Sequence, residues 1–272
     1  MEEPAFAKLN LALHVRAREP DGYHRIETVF AFMEAGDLLR VRKNDSLILE
    51  LEGPFASEVS EGEDNLVLQA ATALQQRYGS ALSAGLILQK NLPVASGLGG
   101  GSADAAAALR LLTRFWGLSA SMDDLLELAQ TLGSDVPACL LSRPARGGGR
   151  GDRLTPFSDW PFAGTPVLLV NPGKALATAA VFSGWDGQDR GPLGEPLAGR
   201  NDLEPSAERL VPEIGDELAM LRATEGARLV RMSGSGATCF ALYESGAARD
   251  AALAQIARTR PDWWLLASRL RG

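Results

Sequence analysis

The residues best suited to bind a charged ligand form a glycine-rich stretch in the first half of the chain. Four glycines occur within five residues, at Gly97 and at positions 99–101, and Ser102 follows directly. Glycine tolerates positive φ and has no Cβ, so this stretch can approach a ligand closely and direct several backbone N–H groups at one point. Residues 102–116 predict a helix, whose first amides carry partial positive charge. The pattern therefore predicts a site for a phosphate-bearing ligand.

Two common phosphate-binding motifs do not match this stretch. A Walker A loop has Gly-Lys-Ser/Thr at the start of its helix, and here Gly101 rather than lysine precedes Ser102. The dinucleotide fingerprint has a third glycine where this chain has Ser102. The alternative to a ligand site is a glycine-rich connection that only lets a helix pack closely on a sheet.

A lysine lies within an apolar segment near the N-terminus. Residues 5–15 alternate loosely and predict a β-strand with Lys8 and Asn10 on the same face. A lysine inside an apolar strand is costly unless its ammonium has a partner, so the position favours a paired or functional cation. The alternative is an edge-strand lysine whose ammonium reaches solvent.

Asp135 is a second candidate for proton or charge chemistry. It stands between Gly133, which ends a predicted helix, and a hydrophobic run that begins at Val136. On local grounds the pattern favours an ordinary N-cap for a following short helix. The alternative is a carboxylate that acts on a substrate proton.

An aromatic ring and an imidazole stand together after a turn. Asp21 and Gly22 predict the turn, and Tyr23 and His24 follow it. Such a pair can stack on a flat base and hydrogen-bond its edge. The alternative is a tyrosine that packs on the sheet beside a surface histidine.

The motif that begins at Pro93, Pro-x-x-Ser-Gly-Leu-Gly-Gly-Gly-Ser-Ala-Asp, resembles the phosphate loop of the GHMP kinases. The sequence Gly-Ser-Asp-Val-Pro around Asp135 resembles a second motif of that family. The resemblance implies an α+β, two-lobed fold with the active site in the cleft between lobes, ATP as phosphate donor, and Mg²⁺. It makes Asp135 the proposed general base and Lys8 its cationic partner, within hydrogen-bonding reach. It assigns ATP binding to Asn65, Lys90, Pro93, Val94, Ala95, Ser96, Gly97, Leu98, Gly99, Gly100, Gly101, Ser102 and Ala103.

Two further stretches resemble one branch of that family, which phosphorylates the 2-hydroxyl of a cytidine diphosphate-linked methylerythritol in the non-mevalonate route to isoprenoids. They are the run Ala-Lys-Leu-Asn-Leu around Lys8 and the residues that follow Asp21. In this branch Tyr23 and His24 correspond to residues that hold the cytosine, with Phe182 stacked opposite Tyr23. The resemblance assigns substrate binding to Asn10, Tyr23, His24, Asp135, Thr178 and Phe182. It also places a third glycine motif, around Gly234 and Ser235, against the phosphate loop.

The resemblance leaves some points open. Family members tend to have Gly-x-Gly-Glu where this chain has Gly149-Arg150-Gly151-Asp152, and the glutamate that holds magnesium in some members has no clear counterpart. The metal ligands are therefore unassigned. Two alternatives stay open: another small-molecule kinase of the family, of the homoserine or mevalonate type, and a catalytically silent nucleotide-binding regulator. Lys90 could also be a solvated strand residue.

Composition narrows the classes of function. Lys plus Arg is 27 against 34 Asp plus Glu, a net charge of −7 over 272 residues. This balance argues against nucleic acid or an anionic membrane as a partner and is compatible with a small-molecule substrate. Two cysteines, each in an apolar run, predict buried free thiols and a cytoplasmic protein. The sequence does not choose between a monomer and a homodimer. With two histidines, a zinc site is not expected.

The elements that must hold these residues alternate irregularly, which predicts an α+β fold with an N-terminal ATP-binding lobe over 1–157 and a C-terminal lobe over 158–272. We expect Asp64 to cap the first long helix, Ser121 to start another through a capping box, and 184–199 to form a mobile loop. Residues 143–153 predict a solvated β-turn. The predicted strands are 5–15, 27–35, 38–51, 85–90, 167–170, 228–232, 239–243 and 263–266, and the predicted helices are 65–78, 102–116, 121–132, 177–182, 200–221 and 247–258.

Overall fold

The computed structural model describes residues 1–79 and 82–272, which form an α+β structure. The chain divides into two compact units that are each discontinuous in sequence. The first unit comprises Met1–Ala7, Gly36–Val94 and Gly99–Ser142. The second comprises Lys8–Ala35, Ala95–Leu98 and Arg143–Gly272. The lobe boundary near residue 157 stays a prediction.

The strands of the described residues are β1 (Glu2–Arg18), β2 (His24–Arg42), β3 (Ile48–Glu52), β4 (Gly85–Gln89), β5 (Ala145–Gly148), β6 (Arg153–Pro156), β7 (Pro166–Asn171), β8 (Ala227–Met232), β9 (Cys239–Tyr243) and β10 (Trp264–Arg269). The helices are α1 (Leu66–Tyr78), α2 (Gly100–Phe115), α3 (Met122–Leu132), α4 (Val136–Leu141), α5 (Thr178–Ser183), α6 (Glu204–Leu210), α7 (Glu213–Arg222) and α8 (Gly246–Thr259).

The first unit contains α1 to α4 and strands paired in the order β3-β4-β2. Strand β4 runs parallel to β3 and antiparallel to β2, which places Leu88 opposite Leu39 in the register. Helix α2 packs against α1, α3 and α4, and its residues Ala105–Ala108 are fully buried. Alanine side chains are small enough for neighbouring helices to approach on several sides and have high helix propensity. The helix that follows the glycines is therefore a rigid central element of this unit.

Local capping explains where two helices of the first unit begin. Ser121 and Asp124 form the predicted capping box at the start of α3, and Gly133 ends that helix as expected. The cap of α1 is Asn65, whose side chain accepts from the Val67 N–H at 2.9 Å. The prediction that Asp64 caps this helix is therefore wrong, because the amide one residue later is in position to accept that N–H.

Strand β2 corrects the prediction of two strands joined at residues 36–37. The strand is continuous, and a Cβ at Gly36 would lie 2.0 Å from the Ala5 carbonyl oxygen. Glycine here permits close approach of β1 and does not form a turn. The interruption comes later, between β2 and β3, where Asn44 Nδ2 donates to the Ser46 carbonyl at 2.8 Å. The predicted strand 38–51 is thus two elements.

The second unit contains a hairpin and a four-stranded antiparallel sheet. Strands β5 and β6 form the hairpin, and β5 pairs with β2. The β-turn predicted over residues 143–153 is confined to residues 149–152, because 145–148 form β5. The sheet has the order β10-β7-β9-β8, and all six residues of β7 are buried. Helices α7 and α8 pack on this sheet. The predicted helical region 200–221 is two helices, because Val211 and Pro212 interrupt it.

Two further observations bear on the predictions from composition. Cys139 and Cys239 are buried free thiols, as expected. Within the described part of the chain, no helix combines the length and apolar character needed to span a membrane.

Glu217 on α7 is an acidic side chain in the core of the second unit, and it leads to a pH-dependent stability prediction. Burial raises its pKa to about 9. A glutamate in an unfolded chain titrates near 4.5, so between these values the folded state holds a proton that the unfolded state releases. This raised pKa makes stability fall as pH rises, by about 1.4 kcal/mol per pH unit. We expect Glu217→Gln to remove that slope and to be the more stable protein at pH 8.

Urea unfolding at pH 5, 6, 7 and 8 measures this effect. The exposed Asp216 on the same helix provides a matched control, and Asp216→Asn should keep the wild-type slope. Equal slopes for Glu217→Gln and the wild type would contradict the prediction.

Candidate functional site

Lys8 is buried in the second unit with 3% of its surface exposed. Its Nζ donates to Asn10 Oδ1 at 2.7 Å, and it lies 5.7 Å from the centroid of the Phe30 ring. The alternative of an edge-strand lysine that reaches solvent is therefore wrong. A buried ammonium with hydrogen-bond and aromatic contacts is suited to stabilise negative charge on a ligand.

A short chain of hydrogen bonds fixes the amide of Asn10. Asn10 Nδ2 donates to Thr28 Oγ1 at 2.7 Å, and that hydroxyl donates to the Ala12 carbonyl at 2.7 Å. Because the Lys8 ammonium can only donate, Asn10 must present its oxygen to it. The structure thus gives Asn10 a role in holding Lys8, and its predicted contact with substrate stays a prediction.

The segment Ala95–Leu98 packs against the third glycine motif, as the resemblance implied. Ser233 Oγ donates to the Gly97 carbonyl at 3.0 Å, and the Thr238 N–H donates to the Ser96 carbonyl at 3.1 Å. Gly97 has φ of +78°, and a Cβ there would lie 2.3 Å from the Ser233 carbonyl oxygen. Only glycine fits this contact without displacing the backbone. The motif around Gly234 therefore supports this part of the predicted phosphate loop.

Gly97→Ala tests this contact. We expect it to destabilise the protein by about 1–3 kcal/mol, because the added methyl group overpacks the contact and left-handed φ disfavours a side chain. We also expect weaker ATP binding. Thermal unfolding and nucleotide titration measure the two effects.

Gly148→Ala is the matched control, since Gly148 has no atom within 4 Å of an added Cβ. If Gly97→Ala behaves like Gly148→Ala in both measurements, the contact does not constrain the loop.

Helix α2 follows the glycine-rich stretch directly, and its role as an anion site stays a prediction. The helix begins at Gly100, two residues before the predicted start, and Gly99 precedes it with φ of +64°. Gly99, the N-cap residue, has no side chain that could make a capping hydrogen bond to α2. The first N–H groups of a helix have no intrahelical acceptors, so an anion can take that place.

Lys90 lies at the end of β4 and is buried with two carboxylates. Its Nζ donates to Asp37 and, at 2.7 Å, to Asp104 Oδ2. Burial alone would lower the pKa of Lys90, but the charges of Asp104 and Asp37 outweigh it and raise that pKa. Burial raises the pKa of Asp104 to about 7 against the opposing pull of Lys90. The alternative of a solvated Lys90 is wrong, and its contact with ATP stays a prediction.

Asp37 also organises the backbone that leads into the glycine-rich stretch. Its Oδ1 accepts the N–H of Asn91 at 2.6 Å and that of Leu92 at 2.9 Å. The two carboxylates therefore connect the residues before the stretch to α2, which carries Asp104.

Asp135 directly precedes α4, in the N-cap position that the local pattern favoured. Its side chain nevertheless makes no capping hydrogen bond to that helix. The capping alternative is therefore wrong for the side chain, and the role of Asp135 toward a substrate stays a prediction.

The predicted base-binding residues lie in the second unit in three separate contacts. The ring of His24 lies 5.0 Å from that of Phe182, centroid to centroid. Tyr23 is 57% exposed, and the Arg150 guanidinium lies 3.7 Å from the centroid of its ring. Thr178 Oγ1 is within 3.0 Å of Ser235 Oγ. The structure thus pairs Phe182 with His24, and the stacking of Phe182 opposite Tyr23 around a base stays a prediction.

The segment 186–199 is irregular, as its composition predicts, but it is anchored at several points. Arg16 binds Asp189 at 2.9 Å, and the Leu193 N–H donates to Glu27 Oε2 at 2.7 Å. His14 contacts the Gly191 carbonyl through Nδ1 at 3.1 Å. These contacts hold a stretch that we expected to be mobile.

Sequence reasoning missed three contributors to these groups. Thr28 supports Asn10, and a polar residue at a buried position of β2 was the available signal. Arg150 was visible only as a departure from the family pattern. Trp185 lies 5.7 Å from the His24 ring and was overlooked because it begins the glycine-rich and acidic segment read as a loop.

Comparisons with known proteins agree on one family. The GHMP kinases N-terminal domain model matches residues 65–143, and the GHMP kinases C-terminal model matches residues 176–262. A 4-diphosphocytidyl-2-C-methyl-D-erythritol kinase of Rhizorhabdus wittichii is 54% identical over 99% of this chain and 94% of its own length. The enzyme of that name from Novosphingobium aromaticivorans is 50% identical over 100% of this chain and 93% of its own length.

Solved structures show the same fold. A crystal structure of 4-(cytidine 5'-diphospho)-2C-methyl-D-erythritol kinase aligns over 100% of both chains with a TM-score of 0.84 and 35% identity. A mevalonate kinase aligns over 99% of both chains with a TM-score of 0.70 but only 11% identity, which supports the fold alone. The chain therefore belongs to the 4-diphosphocytidyl-2-C-methyl-D-erythritol kinase family of the GHMP kinases.

Proposed function

We propose that this protein transfers the γ-phosphoryl group of ATP to the 2-hydroxyl of 4-diphosphocytidyl-2-C-methyl-D-erythritol. In this proposal the amides at the start of α2 and the segment Ala95–Leu98 bind the phosphates. Lys8 stabilises charge on the transferring group, and Asp135 accepts or orients the proton of the attacking hydroxyl. A loose phosphoryl-transfer transition state needs little help from a base, so orientation alone is a sufficient role for Asp135.

The observation that carries phosphoryl transfer is the link between Lys8 and the glycine-rich stretch. The Lys8 N–H donates to the Leu98 carbonyl at 2.9 Å, so the strand that bears the buried ammonium is bonded to the predicted phosphate loop. This backbone contact fixes the main chain of Lys8 relative to Leu98, and the bond to Asn10 Oδ1 fixes its ammonium. A cation at a fixed distance from a phosphate loop needs no reorganisation when charge develops on the ligand.

The aromatic group supports a nucleoside in the acceptor. Burial, assisted by the positive charge of Arg18, lowers the pKa of His24, so the imidazole is neutral at pH 7. A neutral imidazole offers one donor and one acceptor. The edge of cytosine likewise presents an amino donor beside acceptor atoms, which such a ring can match. The part of the acceptor beyond the cytidine is proposed from the relatives at 54% and 50% identity, which are named 4-diphosphocytidyl-2-C-methyl-D-erythritol kinase.

Magnesium is the expected companion of ATP. Within residues 1–79 and 82–272, no group of three or more His, Cys, Asp or Glu side chains is arranged to hold a metal ion. Mg²⁺ at nucleotide sites is commonly held through substrate phosphates with one or two protein oxygens, and the protein ligands in this chain stay unassigned. When bound, the ion neutralises charge on the phosphate oxygens. Location in the cytoplasm and a monomeric or homodimeric state stay predictions.

A coupled assay of ADP release tests the proposed function. The acceptors are 4-diphosphocytidyl-2-C-methyl-D-erythritol, a methylerythritol phosphate without the cytidine, homoserine and mevalonate. We expect turnover with the first alone, with the new phosphate on the 2-hydroxyl by ³¹P NMR. Turnover with homoserine or mevalonate instead would assign another kinase activity. ATP binding without turnover of any acceptor would favour a nucleotide-binding regulator.

A further inference from the structure

The His24 ring is held by two aromatic contacts of different geometry. Phe182 meets it at 5.0 Å with the ring planes 38° apart. The Trp185 ring meets it at 5.7 Å with the planes 85° apart, an edge-to-face arrangement. Contacts of this kind fix the plane of an imidazole without using its nitrogens as donor or acceptor.

The backbone around Trp185 is itself held in place. The backbone N–H of Trp185 donates to the Phe182 carbonyl at 3.1 Å, which fixes the spacing of the two aromatic residues. Arg209 of α6 donates to the Gly184 carbonyl at 2.7 Å. A Cβ at Gly184 would lie 2.2 Å from Ser206 Oγ, so the chain passes close to α6 here. Trp185 is therefore presented to His24 by a constrained turn.

The indole N–H helps to distinguish two roles for Trp185, packing of its ring and hydrogen bonding by its side chain. Its Nε1 is buried and, among the described residues, has no hydrogen-bond partner. Buried indole N–H groups usually find a partner, so one that has none indicates an orientation set by ring packing. Phenylalanine would preserve ring packing and would remove the unpaired donor. Alanine would remove both.

We propose that Trp185 is a positioning residue that, with Phe182, fixes the plane of the His24 imidazole for hydrogen bonding to the edge of a pyrimidine base. The proposal rests on the proposed function for the identity of that base. Trp185 itself does not need to touch the substrate. It acts through His24, whose ring it keeps partly buried and in one orientation.

The first test needs no substrate. The chain contains two histidines, His14 and His24, so their C2–H signals can be assigned with one substitution and titrated by ¹H NMR. Arg18 is the charged group that acts on His24, and it is unchanged in every variant. We expect Trp185→Ala to raise the pKa of His24 toward the value of a solvated imidazole, about 6.5. Trp185→Phe should leave it low, and His14 should not move in either variant.

The second test uses steady-state kinetics with the cytidine-linked acceptor. We expect Trp185→Ala to raise the KM for this acceptor about tenfold, with kcat and the KM for ATP within about threefold. Trp185→Phe should restore the wild-type KM. Trp160→Ala is the matched control, because Trp160 packs on Phe157 and Phe162 in the same unit. It should change neither the His24 titration nor the KM.

The outcomes separate this proposal from the proposed function. If the wild type does not use the cytidine-linked acceptor, the proposed function fails, and the NMR titration still decides whether Trp185 positions His24. An unchanged His24 titration in Trp185→Ala overturns the positioning role. A Trp185→Phe variant as impaired as Trp185→Ala also overturns it, because the N–H and not the ring would then be the active group.

Discussion

Replacing Asp135 with asparagine is expected to lower kcat by about 10²–10⁴-fold, because the neutral amide lacks the negative charge with which the carboxylate orients the attacking hydroxyl or accepts its proton. Lys8→Met should lower kcat by about 10²–10³-fold, as expected when one preorganised donor to a developing charge is lost. The KM for ATP should change by less than about tenfold in Asp135→Asn, since its role concerns the transferring step. Single-turnover measurement with the cytidine-linked acceptor separates this step from product release.

Controls of the same chemistry are available on the surface. Asp123→Asn and Lys43→Met change exposed residues of the same types and should keep wild-type turnover. The double variant Lys8→Met/Asp135→Asn should lose less than the product of the single losses, since residues that act as a unit are not additive. If both single variants keep turnover within about tenfold, a contribution of only about 1.4 kcal/mol, neither residue has the assigned role.

Lys90→Met is expected to have the largest effect on stability, a loss of about 3–5 kcal/mol in the free energy of unfolding. The substitution removes the cation shared by Asp37 and Asp104 and leaves two buried carboxylates side by side. Chemical denaturation at pH 8 measures the effect, because Asp104 of the wild type, with its pKa of about 7, is ionised there. Loss of the Lys90 charge raises that pKa in the variant, so its stability falls as pH rises further.

The contacts of the two carboxylates suggest a second substitution that restores part of the stability lost in Lys90→Met. Asp37 retains the N–H groups of Asn91 and Leu92, whereas Asp104 Oδ1 is buried and, among the described residues, has no hydrogen-bond partner. Asp104→Asn in the Lys90→Met background should therefore recover part of the loss. Arg42→Met breaks the exposed pair with Glu50 and should cost less than about 1 kcal/mol. A Lys90→Met loss no larger than that of Arg42→Met would contradict the buried-network interpretation.

The features predicted best from sequence are those set by local chemistry. The glycines at 99–101 indicated the start of α2 to within two residues, because few other residues accept left-handed φ before a helix. Ser121 and Asp124 predicted their capping box from spacing alone. The match of a long motif to a known family then supplied the fold.

The features predicted worst depend on partners distant in sequence. The sequence predicted that two strands meet at Gly36, but glycine is needed there because the Ala5 carbonyl on another strand lies too close for a side chain. The choice between a solvated and a buried Lys90 required Asp37 and Asp104, which lie 53 and 14 residues away. The sequence placed Trp185 in a loop and gave no sign that its ring contacts the ring of His24. Periodicity reports which face of an element is apolar, and it does not report which elements meet.

The contact between Gly97 and Ser233 has a consequence for folding during synthesis of the protein. Its two sides are 136 residues apart in sequence, so the ribosome must release most of the polypeptide before Ser96 and Gly97 can acquire their partners. During synthesis, those backbone carbonyls will be solvated while α2 is already able to form from local contacts. A nascent chain should therefore acquire nucleotide affinity late, as one of the last properties to appear during translation.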